Sequence, residues 1–145
     1  MIPVTQDKFG LEGNCMAACI ASIFELKLSE VPNFAEGNGD GTWFPKLYDF
    51  CYKRGFEVIP YYLERTGQDT GRRYNGHLDF YRLPERLQGC LPYYLQCGPA
   101  HRGFSHATVG YDGGVIHDPH PSRASLIETD SYYFLKPIVP DSRVS

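Results

Sequence analysis

A thiol becomes a strong nucleophile only after losing its proton, and a helix N-terminus favours that loss through partial positive charge and unpartnered backbone N–H groups. Cys15 stands at such a place. The run Gly13-Asn14-Cys15-Met16-Ala17-Ala18-Cys19-Ile20-Ala21-Ser22-Ile23 opens an apolar helix directly behind Asn14, a residue type suited to the N-cap. Much later in the chain, Ser105-His106-Ala107 is followed by His117-Asp118-Pro119. A histidine can hold a thiolate as an ion pair and then protonate a leaving group, while a carboxylate orients the imidazole. Cys15, His106 and Asp118 therefore form a candidate catalytic triad.

Three separate segments must be brought together for that chemistry. The helix opened by Cys15 is expected to run to residue 26, with Met16, Cys19, Ile20, Ile23 and Phe24 apolar and small alanines between them. A helix apolar nearly all round belongs in the middle of a domain, where its first residue can face a cleft while its body is immobilised. A glycine-rich loop follows at 36–41. A second helix is predicted over 42–54, stopped by Gly55 and burying Phe44, Leu47, Tyr48 and Cys51 on one face. Residues 56–63 have strand composition, and the polar stretch 65–75 reads as a loop at a cleft rim.

Short β-rich runs at 91–96, 104–111, 115–117 and 132–137 point to an antiparallel sheet in the last third. Asp112-Gly113-Gly114 is a hairpin signal, and Asp112 is read as a turn former rather than a catalytic carboxylate. That hairpin lays the strand containing His106 beside the strand leading to Asp118. Alternation along a strand sends His117 and Asp118 to opposite faces, so only one of them can meet His106, and Asp118 has the orienting chemistry. The expected fold class is α+β, with helices carrying Cys15 packed on a C-terminal antiparallel sheet, in one domain over 1–145.

The 145 residues carry 42% hydrophobic and 21% charged side chains, an ordinary globular balance, and contain no apolar run near the ~20 residues that cross a bilayer. The N-terminus lacks the basic start and apolar stretch of a secretory signal, so a cytoplasmic location and no membrane partner are expected. A net charge of −3 gives no general attraction to nucleic acid, and Arg72-Arg73 with Tyr74 near Arg65 reads as a solvated loop. Five cysteines cannot all pair within one chain; Cys19, Cys51, Cys90 and Cys97 are read as reduced core residues. His101, His117 and His120 have no established ligand spacing, and no metal is expected.

Asn14-Cys15-Met16-Ala17-Ala18-Cys19, Phe104-Ser105-His106-Ala107-Thr108-Val109-Gly110-Tyr111 and His117-Asp118-Pro119 together resemble the papain-like cysteine peptidase superfamily. Within it they are similar to the bacteriocin leader-processing peptidases and their bacterial and phage relatives. The resemblance implies a papain-like fold with the nucleophile at a buried helix start, His at the opening of an apolar strand, and Asp as third triad member. It also implies a glutamine shortly before the cysteine that helps form the oxyanion hole. Gln6 is the only upstream glutamine, at a longer gap than usual, and Asn14 is the alternative donor.

These readings lead to a cysteine hydrolase acting on a peptide, isopeptide or small acyl-amide substrate through a Cys15 acyl-enzyme, with no metal or organic cofactor. Acyltransferases, transglutaminase-like enzymes and deamidases share the scaffold and the acyl-enzyme. A non-catalytic papain-like binding or inhibitor protein is the alternative from another class. Specificity is expected from loops at 64–77 and 96–103, and an aromatic-lined surface from Tyr61-Tyr62, Tyr81 and Tyr93-Tyr94.

Overall fold

A computed structural model describes residues 1–36, 42–65, 74–75 and 78–138. Most of the glycine-rich loop at 36–41 and of the polar stretch 65–75, with Arg72 and Arg73, lies outside the described residues. Two helices, α1 (Cys15–Phe24) and α2 (Trp43–Lys53), precede β1 (Phe56–Tyr62). A two-residue pair, β2 (Glu64–Arg65) with β3 (Tyr74–Asn75), comes next. Further along come β4 (Tyr93–Pro99), β5 (Ser105–Tyr111), β6 (Gly114–His117) and β7 (Ser131–Pro137). Among the described residues no helix is long and apolar enough to cross a membrane.

The main sheet is antiparallel, in the order β1-β7-β4-β5-β6, which makes the fold α+β. Its strands alternate between two apolar layers, as a period of two requires. Leu95, Cys97, Ala107, Val109, Tyr133 and Leu135 face the main core with Ala17, Ile20 and Ile23 of α1 and Leu47 and Cys51 of α2. Tyr94, Tyr132 and Phe134 face the other way, against Leu78, Leu87, Phe80 and Leu83. The 78–90 segment thus covers the face that the helices leave open.

α1 is buried from Ala17 through Ile23, as expected of a helix apolar on nearly every side. It stops two residues earlier than predicted because Glu25 takes a left-handed conformation (φ 57°), letting the Leu26 N–H reach the Ala21 carbonyl at 2.8 Å. Ser22, the polar residue in its middle, donates to the Ala18 carbonyl (2.7 Å) and accepts from the Val4 N–H (2.9 Å). The N-terminal strap is tied down on the helix by that bond and by Ile2 N–H to Ser22 O (2.9 Å). Gly55 ends α2 at φ 90°, as its residue type suggested.

The largest boundary shifts in the last third are at β4. β4 begins at Tyr93 and extends to Pro99, so residues 96–99 are strand rather than loop. The β5–β6 turn is the expected one: Asp112 (φ 50°) and Gly113 (φ 89°) close a two-residue hairpin flanked by the Tyr111–Gly114 pair.

Candidate active site

Asp118 lies just beyond β6, and its phase is set by a bulge that the sequence did not signal. Val109 pairs with His117 while Gly110 pairs with Val115, leaving Ile116 as an extra residue on β6. Without that residue His117 would fall on the face of His106, because a one-residue slip exchanges the two faces of a strand. With it, Asp118 takes that face. Its Oδ1 accepts from His106 Nε2 at 2.6 Å, both side chains being buried. His117 turns the other way and donates from Nε2 to the Val4 carbonyl at 2.8 Å.

A carboxylate can only accept, so the proton on His106 sits on Nε2 and Nδ1 is left with a lone pair. Asp118 is itself held by the His120 N–H on Oδ1 (2.9 Å) and the Ser125 N–H on Oδ2 (2.7 Å). Arg123 donates to the Asp118 carbonyl and, through its other nitrogen, to Thr5 Oγ1 at 2.9 Å. Burial alone would raise the Asp118 pKa, but the bonds from His106, His120 and Ser125 outweigh it and hold the carboxyl below its ordinary range. Burial lowers the His106 pKa against the pull of Asp118, with Arg102 and His120 adding to the lowering.

Cys15 is the first residue of α1 and is partly exposed. The help that a helix start gives a thiolate is opposed here by burial. Burial pushes the thiol up, and the opposing N–H groups of Ala107, Met16 and Cys15 itself do not offset that cost; the negative charge of Asp118 adds to the rise. The resting site therefore holds a neutral thiol, a neutral imidazole lining the same cavities, and an ionised carboxylate. Cys15 and His106 border two adjoining cavities. The larger, about 490 Å³, also exposes Met16, Phe34, Trp43, Tyr62 and Tyr133. The smaller, about 250 Å³, exposes Gln6, Phe9, Arg102 and His120.

The two candidate oxyanion donors separate clearly. Gln6 is buried beside Cys15 in the smaller cavity, its backbone N–H bonded to the Pro119 carbonyl (2.9 Å) next to Asp118. One N–H of its side-chain amide goes to the Lys8 carbonyl (2.9 Å), and an amide nitrogen carries a second. Asn14 borders neither cavity and is turned to the 7–8 backbone. Its Oδ1 accepts from the N–H groups of Asp7 (3.1 Å) and Lys8 (2.9 Å), and its Nδ2 donates to Asp7 Oδ1 (2.7 Å). It occupies the N-cap position but makes no side-chain cap bond, a correction to the expected capping role.

The remaining sequence readings divide similarly. Cys19 and Cys51 are core residues, Cys97 is buried yet borders the larger cavity, and Cys90 is only half-buried at the edge of the second apolar layer. Of the suspected tyrosines Tyr62 borders the cleft, whereas Tyr94 is buried in the second layer and Tyr81 is 94% exposed. Among the described residues no three His, Cys, Asp or Glu side chains converge as a metal site would need. Arg102 belongs to the 96–103 stretch expected to shape specificity, whereas Trp43 and Tyr133 were not anticipated at the cleft, since nothing local to them signals where the sheet and α2 will bring them. No protein-family model, curated protein or solved structure matches the chain, and the reading of this site rests on its own geometry.

Proposed function

We propose that the protein is a papain-like cysteine hydrolase that cleaves an amide or peptide bond through a Cys15 acyl-enzyme. The observation that carries this reading is the buried 2.6 Å contact from His106 Nε2 to Asp118, which leaves Nδ1 unprotonated on an imidazole that borders the same cavity as Cys15. A neutral imidazole beside a neutral thiol is the starting state for general-base catalysis rather than for a preformed ion pair. His106 Nδ1 takes the Cys15 proton as the sulfur attacks the carbonyl carbon, and Asp118 stabilises the imidazolium so formed. The Cys15 N–H and the second N–H of Gln6 receive the oxyanion.

Collapse of the tetrahedral species breaks the C–N bond, and the His106 proton leaves with the amine. Water, deprotonated by the same imidazole, then attacks the thioester, giving a carboxylic acid and restoring the thiol. A panel of fluorogenic peptide and acyl amides, with intact-mass detection of the acyl-enzyme, tests the reading. Turnover by the wild type and none by Cys15→Ala is expected. Turnover that persists in Cys15→Ala would overturn it. Product analysis with added amines in the same assay identifies the final acyl acceptor.

A further inference from the structure

The two parts of the cleft differ in charge. The smaller is bordered by Arg102 and His120, and the larger by Asp130. We propose that the larger part is a cation subsite, in which Asp130 receives the ammonium or guanidinium of a lysine- or arginine-like substrate side chain lying among Trp43, Tyr62 and Tyr133. This rests on the cleft being where the acyl substrate binds.

Asp130 is fixed by its backbone: its N–H donates to the Cys97 carbonyl and its own carbonyl accepts from the Leu63 N–H, both at 2.9 Å. The segment passes so close to β4 that a Cβ on Gly98 would lie 1.9 Å from the Glu128 carbonyl oxygen, which is why position 98 is glycine. The Asp130 Oδ1 accepts from Ser131 Oγ at 2.6 Å, and among the residues whose side chains are described no Lys or Arg lies within ion-pair distance of it. Burial raises its pKa, as expected of a carboxylate lacking a cationic partner. The walls suit the same ligand. Trp43 and Tyr62 each meet Tyr133 edge-on, at centroid distances of 5.5 and 6.1 Å. Aromatic rings cover an aliphatic stem and attract a cation at its end. Arg102 at the opposite part of the cleft disfavours a cation there, which fixes the direction of the preference.

The test uses blocked tripeptides Ac-Ala-X-Ala-NH2, with X lysine, norleucine or glutamate, titrated by NMR into the Cys15→Ala protein so that no cleavage intervenes. The lysine peptide is expected to bind about tenfold more tightly than the norleucine peptide, the glutamate peptide most weakly, and Cys15→Ala with Asp130→Asn is expected to bring lysine and norleucine within about twofold. Equal affinities for lysine and norleucine, or a lysine preference that survives Asp130→Asn, would overturn the subsite. Iodoacetamide labelling of the wild type separates the two claims. Lysine preference that depends on Asp130, together with an inert Cys15, would sustain the subsite and sink the hydrolase.

Discussion

Asp118, buried against His106, and Asp130, on the wall of the larger cavity, are both carboxylates withdrawn from water, and their acidities move in opposite directions. Desolvation acts on both. Asp118 overcomes it with donors from His106, His120 and Ser125, so its charge is consumed inside the protein in holding one imidazole. Among the residues whose side chains are described, Asp130 has only the Ser131 hydroxyl as a side-chain donor, which leaves its charge free for the cation proposed above. The number of donors aimed at a carboxylate, more than its depth, decides whether it orients a neighbour or receives a ligand.

The largest effect should come from the Asp118 end. Asp118→Ala is expected to lower kcat/KM by at least about a hundredfold, since the imidazole loses both its tautomer and its countercharge. Steady-state kinetics on a substrate found with the amide panel measure it, and a loss below fivefold would equate Asp118 with an ordinary buried acid. Next comes the contrast between the two amides. Gln6→Ala should cost about a hundredfold in kcat by removing an oxyanion donor. Asn14→Ala should chiefly lower stability, by about 1–3 kcal/mol in urea unfolding, because it leaves the 7–8 backbone unpartnered. Reversed outcomes would exchange their roles.

Gly98→Ala sharpens the comparison from the Asp130 end. The added methyl meets the Glu128 carbonyl, and a loss of about 1–3 kcal/mol is expected, with Asp130 displaced and lysine selectivity lost along with it. The smallest effect is a difference in sign. Asp118, with a folded-state pKa below its ordinary 3.8, contributes stability that is present above that pH and lost as pH falls through its folded value. Asp130, with a folded-state pKa above 3.8, carries a cost that appears as pH rises through its folded value. Urea unfolding at pH 7 should therefore find Asp118→Asn less stable than wild type and Asp130→Asn more stable, both differences shrinking toward pH 3. Shifts of the same sign at pH 7 would break the contrast.

The parts of this site that could be read from the sequence are those set by neighbours along the chain. Asn14 followed by small and apolar residues located the start of α1, and Asp112-Gly113 located the hairpin that carries His106 toward Asp118. The bulge at Ile116 was invisible, because Val115-Ile116 reads as uninterrupted strand, although it decides which of His117 and Asp118 meets the imidazole. The choice of Asp118 came from its chemistry, not from the register. The Asn14 side chain was misread because its partners, Asp7 and Lys8, precede it through a turn that only the folded chain closes. Tyr133 and Asp130 join the suspected Tyr62 at the larger cavity because β7 inserts between β1 and β4, a long-range pairing with no local signature. The rise in the thiol's pKa was not legible for the same reason: the helix terminus is local, and the burial that outweighs it is not.

The central claim is that His106 activates Cys15 as a base, and the pH dependence of Cys15 alkylation tests it most directly. Iodoacetamide modification of the five cysteines, followed by mass spectrometry in the wild type and in His106→Ala, gives one profile per residue. The account predicts that wild-type Cys15 reacts first at neutral pH, with a rate that rises through a pKa below the ordinary 6.5 of histidine. In His106→Ala that limb should vanish, leaving only a rise above the ordinary thiol value of 9.0. A Cys15 profile unchanged by His106→Ala would contradict the account.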